Sequence, residues 1–287
     1  MGEAQFATVN GVRTAYETSG SGFPLLLLHG FPRTRRTWEQ ITPALSERFT
    51  VVAPDRRGYG DSERIPDPAA YGLAAMAADA VALMDHLGHE RFIVVGHDKG
   101  APTARRIAAD LPERVVGMVQ VDSTPQGVGE GRRDPSGRQW YFDFFRQRNV
   151  AEPIVNAVPE LFFGLFLDRN PHLSPEERAY YVEMFSRPGT ADAVIWDYRL
   201  ALEEDPDYWR AEVAAGRKTT VPVLSIWGGS GPSANADVLG AWREVANDVR
   251  GWPVEGSAHY VQEQQPEATI AAILGFADEL GLESPPS

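Results

Sequence analysis

The chain has 287 residues, 43% of them hydrophobic, and a formal net charge of -13 at neutral pH. That length suits one large α/β domain with an insertion, and the acidic balance argues against nucleic acid or an anionic membrane as a partner. With Cys 0 there is no disulfide, thiol nucleophile or cysteine-held metal, and no apolar run approaches the roughly 20 residues of a membrane span; without a signal-peptide pattern, the expectation is a cytoplasmic protein.

Phe6 to Tyr16 places Asn10-Gly11 between two alternating segments, the pattern of a β-hairpin. Phe23 to Leu28 reads as a buried strand running into His29-Gly30-Phe31-Pro32, and Phe49 to Ala53 as another, followed by the charged stretch Pro54 to Ser62. A helix is expected from Leu73 to Leu87, with Met76, Ala80, Leu83, Met84 and Leu87 on one stripe and Gly88 as its stop. Phe92 to Val95 is strand-like, Ala101 to Leu111 has helical spacing, and Val115 to Val121 forms a further strand ending at Asp122. Strands alternating with helices imply a doubly wound, mostly parallel sheet. From Ser123 to Asp207 aromatics and helical periodicity take over, which predicts an inserted helical cap. The sheet resumes at Val221 to Trp227, a glycine-rich loop covers 228–231, Val249 to Val254 is the last strand, a helix closes the chain near 267–280, and Glu283 to Ser287 reads as a frayed tail. The organisation expected is a core in two parts, 1–122 and 208–287, split by a cap over 123–207.

The most informative segment is Gly96-His97-Asp98-Lys99-Gly100, lying between a strand and a helix. Strand, tight Gly-x-x-x-Gly turn, helix is the setting of a nucleophile elbow, and Pro102 is tolerated in the first helical turn. Its centre is an aspartate. An aspartate carboxyl ordinarily titrates at a pKa of about 3.9 and so is ionised at neutral pH without help from a base. It can attack a saturated carbon and form an alkyl ester that water then opens at the carbonyl, whereas a serine would be left as a stable ether. Asp98 therefore points to hydrolysis of a C–O or C–halogen bond at an sp3 carbon; the plainer alternative is an Asx-turn residue.

The second step needs a base. Of the 6 histidines, His259 stands in the loop Gly256 to Tyr260, after the last strand and in the nucleophile–acid–histidine chain order. His29 beside a tight turn reads as structural, His97 lies within the elbow, and His86, His89 and His172 read as solvated. An acid must orient the histidine: Asp122 at its strand end is the candidate and Asp237 the competitor. The backbone N–H groups of Phe31 and Lys99 are candidate donors to the oxyanion formed when water attacks the ester.

His29-Gly30-Phe31-Pro32, the Asp98 elbow, Asp122 and His259 together resemble the aspartate-nucleophile branch of the α/β-hydrolase fold, which comprises epoxide hydrolases and haloacid or haloalkane dehalogenases. In fluoroacetate dehalogenases two arginines after the nucleophile clamp the substrate carboxylate; Lys99 and Pro102 stand there in this chain, with Arg105 one turn further on. The tryptophan that follows the nucleophile in haloalkane dehalogenases is also replaced by Lys99, and the His-Trp pair that holds fluoride aligns with Phe142 and Asp143. Epoxide opening needs a neutral proton donor above the nucleophile. Trp140-Tyr141-Phe142-Asp143-Phe144-Phe145 resembles the first cap helix of bacterial epoxide hydrolases, with Tyr141 at the donor position, and Trp196-Asp197-Tyr198-Arg199 resembles the later motif that carries the second tyrosine. The resemblance implies an epoxide hydrolase with no metal or cofactor, using Asp98, His259, Asp122, Tyr198 and Tyr141 on a small-molecule substrate, with Phe31, Phe142 and Trp196 lining an apolar pocket. A haloacid dehalogenase using the same ester is the rival, and a binding protein on a hydrolase scaffold a third reading. Oligomeric state has no signature in the sequence.

Overall fold

A computed structural model of the chain describes residues 3–128 and 139–282; the expected tail at Glu283 to Ser287 lies outside them. Among these residues eight strands form one sheet: β1 (Gln5–Val9), β2 (Val12–Ser19), β3 (Phe23–Leu28), β4 (Phe49–Pro54), β5 (Phe92–His97), β6 (Val115–Val121), β7 (Val223–Gly228) and β8 (Val249–Val254). Their order is β1-β2-β4-β3-β5-β6-β7-β8. The first two strands pair antiparallel with each other, β2 is antiparallel to β4, and every later pairing is parallel. Asn10 and Gly11 turn the hairpin with φ of 49° and 76°, the conformation an Asn-Gly pair adopts at low cost. β7 begins at Val223 rather than Val221 because Pro222 has no N–H to give the ladder.

The central strands are apolar at most positions because both faces are covered. Leu26, Leu28 and Val94 pack under α2 (Leu73–His86), α3 (Gly100–Asp110) and α10 (Val238–Val245) through Met84, Ile107 and Trp242. Leu25, Leu27, Ile93 and Val95 point the other way, toward α1 (Thr42–Leu45) and α12 (Pro266–Glu279), where Leu45, Ile273 and Phe276 meet them. The short α11 (Val261–Gln264) precedes α12.

Between β6 and β7 the chain forms α4 (Trp140–Phe145), α5 (Ala151–Ala157), α6 (Pro159–Leu167), α7 (Pro175–Ser186), α8 (Thr190–Glu203) and α9 (Asp205–Ala214). Their aromatic side chains make a third core: Phe145, Phe162, Phe163, Phe185 and Tyr198 close over Phe31 and Tyr59 of the sheet layer. No described helix is long and apolar enough to cross a membrane.

Gly100 shows how tightly this frame is drawn. A Cβ there would meet the main-chain oxygen of Leu28 at 2.0 Å, a contact that backbone cannot relieve. Gly100→Ala should therefore destabilise the protein by about 2–4 kcal/mol in urea unfolding. Gly275→Ala on α12, where an added Cβ meets nothing within 4 Å, should instead stabilise by about 0.5–1 kcal/mol.

Candidate active site

In an open parallel sheet the carboxyl ends of the strands share one edge, and ligands bind outside it. β3, β5, β6 and β8 deliver Phe31, Asp98, Asp122 and His259 to that edge. Asp98 has φ of 50°, in the left-handed region that a non-glycine residue avoids. The turn holds it there: Ala101 N donates to Asp98 O at 3.0 Å as α3 begins. Gly30 leaves the room it needs, since a Cβ at that position would fall 2.3 Å from the Asp98 Cβ. Asp122, at the end of β6, has φ of 44°.

These backbone positions aim three side chains at one another. Asp98 Oδ1 accepts from Phe31 N at 2.8 Å, and Asp98 Oδ2 lies 3.4 Å from His259 Nε2. His259 Nδ1 is 2.6 Å from Asp122 Oδ2, and Asp122 Oδ1 accepts from Gly228 N at 3.2 Å. The His259 loop is held from below by His97, whose Nε2 meets His259 O at 2.9 Å. Burial alone would raise the Asp98 carboxyl, but hydrogen bonding and charge from His259 outweigh it and hold the group well below the usual carboxylate range. Burial would likewise lower His259; the hydrogen bonds to Asp122 and Asp98 win and push it up to about 10. Asp237 only caps α10, accepting from Gly240 N at 2.9 Å, which leaves Asp122 as the histidine's partner.

Above Asp98 stand the two tyrosines. The Tyr141 and Tyr198 rings lie 5.4 Å apart, edge to face. Tyr198 packs 5.4 Å from Phe31, and Tyr141 6.4 Å from it. Burial first, then the charge of Asp98 on Tyr141 and the influence of Tyr141 and Asp98 on Tyr198, push both phenols up, so both keep their protons at neutral pH. Phe142 lies 5.7 Å from Tyr198 and 4.8 Å from Tyr141.

Three expectations need correction. Trp196 does not join this wall. Its ring packs 5.7 Å from Tyr71 and its Nε1 donates to Glu152 at 3.3 Å. Residues two apart on a helix point about 200° apart, so turning Tyr198 toward Asp98 turns Trp196 away. His172 is not a solvated residue: it is half-buried against Glu263 at 2.9 Å and Gln264 at 3.3 Å. His89 is half-buried too, and only His86 of the three is exposed. His29 is structural as expected; burial lowers it to about 3, and its Nε2 accepts from Arg56 N.

The cations near the elbow are already engaged. Lys99 Nζ lies 2.9 Å from Asp197 Oδ1, and Arg105 donates to Gln126 O at 2.7 Å while stacking on Trp209 at 3.8 Å. No group of three or more His, Asp and Glu among the described residues is arranged to hold a metal.

A family model of the α/β-hydrolase fold matches residues 24–266. The chain belongs to the α/β-hydrolase family. The hydrolase is 35% identical to a soluble epoxide hydrolase from Corynebacterium sp. (strain C12), over 94% of this chain and 95% of that one. It is 33% identical to a fluoroacetate dehalogenase from Burkholderia sp., over 96% of this chain and 94% of the relative. Among solved structures, the epoxide hydrolase CorEH without ligand superposes with a TM-score of 0.87 at 34% identity, covering 97% of this chain and 99% of that chain.

Sequence reasoning missed the polar seam between the hydrolase's sheet layer and α8. Arg56 Nη1 meets Asp197 Oδ2 at 3.1 Å, and Tyr59 OH donates to the same oxygen at 2.8 Å. The only trace of it in the sequence is Arg56-Arg57 one residue past a buried strand, a costly place for charge unless a partner arrives from elsewhere.

Because two carboxylates hold His259 up, Asp98→Asn should lower its midpoint from about 10, read by nitrogen NMR of the imidazole; an unchanged midpoint would show that the two groups are not coupled. The same linkage has a stability sign. A raised histidine contributes fully below its unfolded value near 6.5 and loses that contribution as pH climbs through about 10. The melting-temperature advantage of the native protein over His259→Gln should therefore shrink across that window.

Proposed function

We propose that this hydrolase opens epoxides to vicinal diols through an alkyl ester on Asp98, with α4 to α9 serving as its cap domain. The observation that carries this reading is the edge-to-face pair of protonated tyrosines packed on Phe31, the residue whose N–H holds the Asp98 carboxylate. An epoxide oxygen stays attached when the ring opens and must be protonated; a halide leaves without a proton.

In the first step an Asp98 oxygen attacks a ring carbon, the C–O bond breaks, and Tyr198, supported by Tyr141, gives its proton to the departing oxygen. The products are a hydroxyalkyl ester and a tyrosinate. Esterification removes the negative charge of Asp98, one of the two charges that hold His259 protonated, so the imidazolium becomes acidic enough to return a proton to the tyrosinate. Neutral His259, oriented by Asp122, then takes a proton from water as its oxygen attacks the ester carbonyl. The oxyanion forms on the former Oδ1, where Phe31 N–H already donates at 2.8 Å; the backbone N–H of Lys99 is the second proposed donor. Collapse breaks the ester C–O bond; the departing alkoxide takes the remaining proton of the added water, which leaves the diol, the free carboxylate and a protonated His259. Phe31 and Phe142 supply apolar walls for the small-molecule substrate. No step requires a metal or an organic cofactor.

The dehalogenase reading shares the ester and has a relative of comparable identity. It needs a clamp for the substrate carboxylate, and Lys99 and Arg105 are bound to Asp197 and Gln126 instead.

In His259→Gln treated with styrene oxide, the peptide bearing Asp98 should gain the mass of the whole epoxide by mass spectrometry, because the ester forms and is not hydrolysed. Tyr141→Phe with Tyr198→Phe should lower diol formation by at least about 100-fold. Halide release from chloro- or fluoroacetate with no diol from any epoxide would overturn the assignment in favour of dehalogenation.

A further inference from the structure

Lys99 follows the proposed nucleophile in sequence, yet its ammonium reaches across the seam to α8. Nζ lies 2.9 Å from Asp197 Oδ1 and 3.2 Å from the Asp197 main-chain oxygen, and 4.7 Å from the centroid of the Tyr198 ring. One cation thus touches two consecutive residues of the helix that carries the proposed proton donor. Asp197 does not need Lys99 for neutralisation, because Arg56 and the Tyr59 hydroxyl already serve its other oxygen at 3.1 Å and 2.8 Å. Two cations face a single carboxylate, Asp205 also lies within reach of the charge on Lys99, and the ammonium rests over the face of a phenol. Lys99, Arg56 and Asp197 are all buried, so water does little to screen that charge.

A cation over an aromatic face is attracted to the ring's electron density, and that attraction grows as the ring gains negative charge. Tyr198 gains such charge when it gives up its proton.

We infer that Lys99 is a positioning residue for the Tyr198 proton donor: its ammonium pins α8 over the elbow and stabilises the tyrosinate that forms as the epoxide opens. The role rests on the epoxide reading above and belongs to ring opening alone. Hydrolysis of the ester runs through His259, Asp122 and the backbone donors, and the side chain of Lys99 touches none of them in this arrangement. A lysine that only stabilised the fold would slow both steps together or neither.

The test is rapid-quench single turnover of the full-length protein with styrene oxide, which separates ester formation from ester hydrolysis. Lys99→Met keeps the stem and the backbone N–H and removes the charge; Asp197 keeps Arg56 and Tyr59. Ester formation should slow by about tenfold or more while hydrolysis of the accumulated ester changes by less than about threefold. Lys99→Arg, which keeps the charge, should form the ester within about threefold of the native rate. Lys99→Met with native ester formation, parallel slowing of both steps, or a folded Lys99→Arg as slow as Lys99→Met would overturn the inference. If Lys99→Met does not fold, Lys99→Arg decides, and ester formation outside the threefold range counts against it. Native protein that forms neither ester nor diol defeats the epoxide reading itself, an outcome distinct from native ester formation that ignores Lys99.

Discussion

Asp98 and His259 sit at the ends of different strands, and each is held in a protonation state that burial alone opposes. Burial would neutralise the carboxyl and deprotonate the imidazole; their mutual contact at 3.4 Å, completed by Asp122 on the far side of the ring, reverses both tendencies. The rest of the architecture serves that contact. The parallel strands end on a common edge, the elbow accepts a left-handed aspartate, and Gly30 stays small so that the carboxylate can stand beside the Phe31 N–H. The arrangement is also self-switching: whatever removes the charge from Asp98 loosens the proton on His259, so in the proposed mechanism one group acts as nucleophile first and its neighbour as base only afterwards.

The parts legible in the sequence are those governed by local rules. Apolar runs with a fixed period, the Asn10-Gly11 turn and the glycines of the elbow specify strands, hairpin and elbow without knowledge of distant residues, and the chain order of Asp98, Asp122 and His259 follows from strand ends meeting at one edge. Trp196 escapes such rules because a motif read as a string ignores the rotation along a helix: Tyr198 and Trp196 cannot face the same way. The seam was illegible for another reason. Arg56, Lys99 and Asp197 are ordinary surface residues by type, and only the packing of α8 against the sheet edge buries them together. Local pattern says nothing about which distant charge will arrive to neutralise a buried one.

Between the two layers, apolar and polar contacts divide the labour. The rings around Phe31 and Tyr198 supply apolar contact, but edge-to-face contacts near 5.4 Å tolerate sliding. Buried ion pairs do not, because a displaced partner leaves an unpaired charge in a dry environment. Arg56 and Lys99 on Asp197 therefore fix the register of α8 over the edge more sharply than they raise stability.

The helices α4 to α9 leave the sheet after β6 and return at β7, and those two strands are hydrogen-bonded neighbours. Entry and exit of the excursion thus lie side by side, and the sheet closes the same way whatever the chain does between them. Evolution is free to trade the whole excursion for another, altering the side chains above the sheet edge while Asp98, Asp122 and His259 stay untouched. The constraint on such an exchange is electrical: any replacement must bring its own anion to the place of Asp197, or leave the buried Arg56 and Lys99 of the sheet layer without that counter-charge.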